Sequence, residues 1–156
     1  MKFAIISDTH SSIDDVVSFL LDNEVDFFIH AGDYTSDAEE ISYITGISYK
    51  CVKGNNDYYD NINPEFMVIN VDGINIYITH GHRENIHFGY EKLAITAKKK
   101  GCSVAIFGHN HLYVDETLLS VRLLNPGSPS LPRDSKKSMM LCNTHDGILD
   151  VKKITF

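Results

Sequence analysis

The chain is short of cysteine. Only Cys51, Cys102 and Cys142 occur among 156 residues, and no two form a C-x-x-C pair. That excludes a zinc ribbon or a redox dithiol. An odd, widely spaced set also argues against a disulfide framework and suits a reducing compartment. Basic residues are outnumbered, 14 against 21 acidic, for a net charge of −7. The chain therefore lacks the electrostatic footprint of a nucleic-acid binder, and no stable association with such polymers is expected. Phosphate-bearing small molecules stay open, because bound cations reverse a local field. Long hydrophobic runs are absent too. The opening stretch, Met1 to His10, has one lysine and a short apolar segment, too little for a signal peptide or a membrane span. We expect no membrane association and a cytoplasmic, soluble protein. No repeat, low-complexity segment or linker interrupts the chain, so residues 1–156 read as one domain. Hydrophobic content of 43% and charged content of 22% are globular values. A domain of this size buries about 70% of its unfolded surface, enough for a real core.

What is present is an alternation of short apolar runs and helical patterns. Lys2 to Ser7 suits a buried strand. Ser12 to Asn23 shows a helical apolar face, with Ser12 and Asp15 as a start signal. Val25 to His30 is a second strand, Asp37 to Gly46 a helix with a glycine stop, and Ile47 to Gly54 a third strand. Phe66 to Gly81 reads as two strands around an Asp72-Gly73 turn. Tyr90 to Gly101 is a helix whose closing lysines suit its dipole, followed by a buried strand from Cys102. Four later strands complete the chain: Leu112 to Leu119, Val121 to Gly127, Lys137 to His145 and Gly147 to Phe156. The pattern predicts an α/β domain with sheet layers packed between helices.

Five of these strands end alike, with an apolar run giving way to metal-type residues. Asp8 and His10 follow the first, Asp33 the second, Asn55 the third, His80 the hairpin and His109 with His111 the strand after the last helix. In α/β sheets the carboxyl ends of strands open on a common crevice. Two carboxylates, four imidazoles and one amide suit divalent Mn, Fe, Zn, Co or Ni. Seven ligands exceed one tetrahedral ion and suit two ions that share a carboxylate, a clamp for phosphoryl displacement. Read singly, each residue has an ordinary alternative. Asp8 and Asp33 can be turn residues, Asn55 can sit in a left-handed turn, and the histidines can be hydrogen-bonded at a surface.

Asp8 to Ser12 (DTHSS), His30 to Tyr34 (HAGDY), Lys53 to Tyr58 (KGNNDY), Thr79 to His82 (THGH) and Gly108 to Leu112 (GHNHL) follow one another along the chain. In that order they resemble the five motifs of the calcineurin-like metallophosphoesterases, and more narrowly those of the small bacterial and archaeal phosphodiesterases. Asn125 to Arg133 (NPGSPSLPR) is similar to a loop of those short members. The resemblance implies a four-layer α/β/β/α sandwich of two mixed sheets flanked by helices. It implies two divalent ions, manganese first among Mn2+, Ni2+, Fe2+, Zn2+ and Co2+. Asp8, His10 and His111 would hold one ion, Asn55, His80 and His109 the other, with Asp33 as the bridge. An extended stretch would let His109 and His111 serve different ions while Asn110 points elsewhere. A hydroxide bridging the ions would then attack phosphorus in line.

The resemblance breaks at one place. Many members have histidine after the ligand asparagine, where it contacts the phosphoryl group and is proposed to protonate the leaving group. Here that residue is Asn56, which can donate a hydrogen bond but cannot act as an acid. His82 is a candidate acid, with a supporting role behind the ligands as its alternative. Asp57 is expected to fix its loop. His30 and His87 are not expected to be ligands, and His145 is expected at a turn. Tyr58 and Tyr59 would either line a pocket for a base or aryl group or pack on the surface. The run Lys98 to Lys100 reads as a solvated helix end.

The expected function is hydrolysis of a small phosphodiester, nucleotide-like diesters among them. A phosphomonoesterase is the alternative within enzymes, disfavoured by Asn56. A vesicle-coat (retromer) subunit is similar to this fold, so a protein-binding scaffold is the alternative outside them. Dimers or tetramers would follow the habit of the relatives.

Overall fold

The computed structural model describes residues 1–134 and 136–156. The first strand, β1 (Lys2–Ile6), is apolar at every position after Lys2. The reason is that both its faces are covered, as in sheets sandwiched between other layers. Phe3 and Ile5 point to one apolar cluster and Ala4 and Ile6 to another. In the first sheet, β2 (Phe27–His30) pairs parallel with β1, and β3 (Ser48–Cys51) extends the sheet beyond it. On the other side β9 (Ser138–His145) runs antiparallel to β1, with β10 (Ile148–Thr155) at the edge. The second sheet contains β4 (Phe66–Val71), β5 (Ile74–Thr79), β6 (Val104–Ile106), β7 (Tyr113–Leu118) and β8 (Val121–Pro126), in the order β4-β5-β6-β8-β7.

Three apolar seams hold four layers together. Ile29, Val52, Ile76, Ile78, Ile106 and Met140 meet between the sheets. Helices α1 (Asp14–Asp22) and α2 (Thr35–Thr45) cover the first sheet through Val16, Leu20, Ala38 and Ile41, packed on Ala4, Ile6 and Phe28. Helix α3 (Glu91–Lys99) covers the second through Leu93, Ala94 and Ala97, packed on Tyr77, Ala105 and Phe107. The chain thus adopts the expected α/β/β/α sandwich of two mixed sheets flanked by helices. Among the described residues no helix is long and apolar enough to cross a membrane.

Some boundaries differ from the sequence reading. Helix α1 begins at Asp14, and its N-cap position, Ile13, makes no side-chain cap bond, so Ser12 is not the start signal. Helix α2 begins at Thr35, two residues before Asp37. A carboxylate distant in sequence explains this: Asp57 accepts hydrogen bonds from the amides of Tyr34 (2.8 Å) and Thr35 (2.9 Å). Those amides would otherwise be orphaned at the helix start. A short 3-10 turn, Ile86–Phe88, was not foreseen. His145 closes β9 beside the Asp146-Gly147 turn, with its ring 3.4 Å from Asp150.

Candidate metal centre

The carboxyl ends of the parallel strands in both sheets open on one edge of the sandwich. Hydrogen bonds stitch the two edges together there. Asp8 Oδ2 accepts from the amide of His109 at 3.0 Å, joining the end of β1 to the end of β6. The ring of His80, after β5, reaches the carbonyl of Ala31, after β2, at 2.8 Å. The approach is so close that two glycines are required. A Cβ on Gly108 would lie 1.9 Å from Ser7 Oγ, and one on Gly54 would lie 2.1 Å from Asp33 Oδ1.

Five of the seven candidate ligands meet within ligand reach. Asp8, His10 and His111 form one group whose donor atoms lie within 4.8 Å of one another, and Asp8, Asp33 and His80 form a second. Asp8 Oδ1 is 3.2 Å from His111 Nε2 and 3.9 Å from His80 Nε2. Asp33 faces both sides, with Oδ1 3.3 Å from His80 Nε2 and Oδ2 3.9 Å from His10 Nε2. The His109 ring lies beside His80, 5.1 Å between centroids. Asn55 turns a buried Oδ1 with no hydrogen-bond partner among the described residues.

His109 lies beside His80 whereas His111 faces Asp8, and Asn110 turns away to Tyr90 and Asn125. The backbone that achieves this is not the extended one expected. Both histidines are left-handed, at φ 73° and 58°. A tight loop rather than strand alternation separates the two rings.

The donor set fits a divalent cation. The ring of His80 donates Nδ1–H to Ala31 O, and that of His111 donates Nδ1–H to Leu131 O at 2.7 Å, since a carbonyl can only accept. In the neutral rings Nε2 is then a bare lone pair, aimed at carboxylate oxygens. Lone pair against lone pair is repulsive unless a proton or a cation stands between them. Asp8 Oδ1 and His80 Nε2, like Asn55 Oδ1, are buried without a hydrogen-bond partner among the described residues. Buried polar atoms rarely stay unpartnered. Anchoring the far ring nitrogen on a carbonyl is also how proteins orient metal-binding histidines.

Titration follows the same geometry. Burial would raise the Asp8 carboxyl, but His111, which hydrogen-bonds to it once protonated, and the charge that protonation puts on His80 and His111 outweigh burial and hold it low. Asp33 is held well below the usual carboxylate range, burial again being outweighed by His80 and Asn56. The His111 imidazole is raised, mainly by the hydrogen bond to Asp8 that its protonated form makes. His80 is raised because Asp33 and Asp8 overcome its burial. His109 is pushed down to about 4 by burial and by its neighbours His80 and His87. Protons on His80 and His111 and a bound cation are therefore competitors for one place.

The other candidates are placed as follows. Asn56 donates its side-chain amide to Asp33 Oδ2 at 2.6 Å and its backbone amide to Asp33 Oδ1 at 3.0 Å. His82 lies 5.6 Å from the His80 ring and 6.1 Å from that of His109, with Nδ1 buried and unpartnered among the described residues. Its pKa is lowered by burial and by His80. His30 is fully buried and accepts from the amide of Gly32 while contacting Thr9 Oγ1, away from the ligand groups. His87 is exposed, and its ring lies tilted against that of His109, 4.6 Å between centroids. Asp57 does fix its loop: its carboxylate accepts from the amides of Asp33, Tyr34, Thr35 and Gly54.

Sequence reasoning missed the supports of Asp8. Ser7 Oγ donates to Asp8 Oδ2 at 2.7 Å, and Ser128 and Ser130 donate to the Asp8 carbonyl at 2.7 and 3.1 Å. The proximity of Ser7 to Asp8 and the serines of Asn125 to Arg133 were visible signals. The Leu131 carbonyl that orients His111 carries none.

Known proteins resemble this chain over most of its length. Residues 1–147 match the calcineurin-like phosphoesterase superfamily domain. A probable metallophosphoesterase of Methanocaldococcus jannaschii is 34% identical over 151 residues, covering 94% of this chain and 77% of that protein. One of Mycoplasma genitalium is 30% identical over 145 residues, 91% of this chain and 85% of that protein. A phosphodiesterase of Methanocaldococcus jannaschii is 28% identical over 148 residues, 81% and 83% of the two chains. Among solved structures, a predicted phosphoesterase of Streptococcus pneumoniae superposes with a TM-score of 0.80 at 25% identity, over 99% of this chain and 88% of that one. A Vps29 mutant of Entamoeba histolytica superposes with a TM-score of 0.81 at 23% identity, over 100% and 99%. The chain belongs to the calcineurin-like phosphoesterase superfamily.

Proposed function

We propose that the chain hydrolyses small phosphodiesters with the help of two divalent cations. The observation that carries the reading is the pair of adjoining ligand groups at one sheet edge, both of which contain Asp8, with Asp33 facing His80 and His10. In this reading Asp8, His10 and His111 hold one ion, Asn55, His80 and His109 the other, and Asp33 spans both. Manganese is the first choice, with Ni, Fe, Zn and Co as alternatives on donor type. Bound cations of this kind lower the pKa of water and neutralise charge on phosphoryl oxygens. The chain's own part is orientation. Ala31 and Leu131 lock two imidazoles, and Asn56 holds the Asp33 carboxylate by two hydrogen bonds. Asn56 supplies no proton to a leaving group, which favours diesters with good leaving groups. His82, beside the second ligand set, is the candidate donor. The relative whose name is phosphodiesterase supports the diester over the monoester.

The test is metal add-back. Protein stripped with chelator and resupplied with Mn, Ni, Zn or Mg is assayed on an activated aryl phosphodiester and on the matching monoester. Restored diester cleavage is expected. Cleavage of the monoester alone would make the chain a phosphatase. No cleavage with any metal, by folded protein, would favour a protein-binding scaffold, a reading that the Vps29 likeness supports at the level of fold. Replacing the spanning carboxylate, Asp33→Ala, is expected to abolish calorimetric Mn binding and lower activity at least about 100-fold, as for loss of a group central to electrostatic catalysis. Retention of half the activity would sink the two-ion reading.

A further inference from the structure

A hollow of about 550 Å³ opens beside the metal centre, between the start of α2 and the loop that follows β3. That volume suits a small ligand. Two residues connect it to the centre. Tyr34 lines it and packs its ring 4.9 Å from His10. Asn56 lines it while holding Asp33. A phosphodiester seated at the ligand groups would therefore extend one arm into this hollow.

The walls select the arm. Tyr34, Tyr58 and Tyr59 line it, the last two 78% and 96% exposed. They offer flat apolar faces with almost no cover of their own. Exposed rings beside a binding cleft stack on planar groups, and nucleobases are the most sequence-tolerant partners of such platforms. Three carboxylates, Glu39, Asp57 and Asp60, stand in the lining among neutral residues such as Thr35, Ile62 and Asn63. Asp57 and Asp60 are occupied by backbone amides and Asn63. Glu39 is exposed and lies on the same wall. Carboxylates repel a further phosphate and accept from hydroxyl or amino groups.

We propose that this hollow is the subsite for a nucleoside arm, so that the substrates are nucleoside phosphodiesters without a second phosphate on that arm. Tyr58 and Tyr59 stack on the base and Glu39 accepts from a sugar hydroxyl or a base N–H group. The placement of the phosphate rests on the phosphodiesterase reading; the hollow itself does not.

The experiment measures binding of methyl phosphate, phenyl phosphate and thymidine monophosphate to the Mn-loaded protein by calorimetry. Thymidine monophosphate is expected to bind about tenfold or more tighter than methyl phosphate, an advantage that Tyr58→Ala/Tyr59→Ala reduces to about twofold or less, as loss of a stacking platform requires. Glu39→Gln is expected to weaken thymidine monophosphate and leave phenyl phosphate unchanged. Both tyrosines are exposed, so methyl phosphate binding should persist in the double variant. Equal binding of all three phosphates, or of phenyl phosphate and thymidine monophosphate, would overturn the nucleoside assignment. If none of the phosphates binds, the metal reading fails, and thymidine alone then decides the hollow. Titrated into isotope-labelled protein, it is expected to shift the amide resonances of Tyr58, Tyr59 and Asn63, and no shift at all would overturn the proposal.

Discussion

Asp8, His10, Asp33, His109 and His111, five of the seven candidate ligands, have left-handed backbones, with φ of 57°, 45°, 61°, 73° and 58°. For residues with a side chain that conformation costs roughly 1 kcal/mol or more each, and such strain gathers at functional sites. It persists because hydrogen bonds hold the loops: two serines on the Asp8 carbonyl, Asp8 on the His109 amide, and Asp57 on the Asp33 amide. Asp57 is the most heavily used of these supports. Truncating it as Asp57→Ala leaves four amides without their charged acceptor. Stability is expected to fall by about 2–4 kcal/mol in urea unfolding, because bonds to charged groups are the stronger kind. Mn affinity is expected to weaken about 10–100-fold, as when support behind a metal ligand is removed. An unchanged affinity by calorimetry would show that Asp57 serves α2 alone.

Elements were legible where their local chemistry agrees with their place in the fold. Asp72-Gly73 and Asp146-Gly147 are left-handed at both residues and join strands in register, as their composition suggests. Leu119 and Ser120 make an equivalent turn, φ 52° and 66°, between β7 and β8. Neither residue favours that conformation, so the sequence reading kept Leu119 in the strand and left only Ser120 between the two, whereas β7 ends at Leu118. Replacing them by the preferred pair, Leu119→Asn with Ser120→Gly, is expected to stabilise the protein by about 1 kcal/mol. The melting temperature should rise by about 2–4 °C in scanning calorimetry. A fall would mean that the half-exposed Leu119 contributes more by packing than its backbone costs. The start of α2 was unreadable for a different reason: its cap, Asp57, lies more than twenty residues away.

At the scale of the molecule, His30 is a pH-dependent element of stability. It is fully buried between helix layer and sheet edge, and its Nδ1 accepts from the Gly32 amide, a role that protonation removes. Burial brings its pKa down to about 4 from 6.5. The unfolded chain therefore takes up the proton first as pH falls. The contribution of His30 is present in full above pH 6.5 and is lost as pH falls toward 4, to a total of roughly 3 kcal/mol. The raised pKa values of His80 and His111 act with the opposite sign in metal-free protein, so the effect is isolated by difference. His30→Gln is expected to flatten the decline in urea midpoint between pH 6.5 and 4 relative to the parent chain. An NMR titration showing His30 half-protonated near pH 6.5 would remove the argument.

The sequence by itself determined the layers and the candidate ligand types. Apolar runs with both faces buried, helical periodicity and glycine turns specify which segments are strands and helices, because those signals are local. Metal-type residues at five strand ends mark a candidate site, because parallel strands of a sheet expose their carboxyl ends on one edge. Only the tertiary structure decided how the two sheets bring those edges together and which atoms face which. The carbonyls of Ala31 and Leu131, the Asp57 carboxylate across from α2 and the left-handed turns at the candidate ligands depend on contacts between segments far apart in the chain. Backbone carbonyls have no residue identity, and a long-range hydrogen bond leaves no periodic trace, so neither can be read from one sequence.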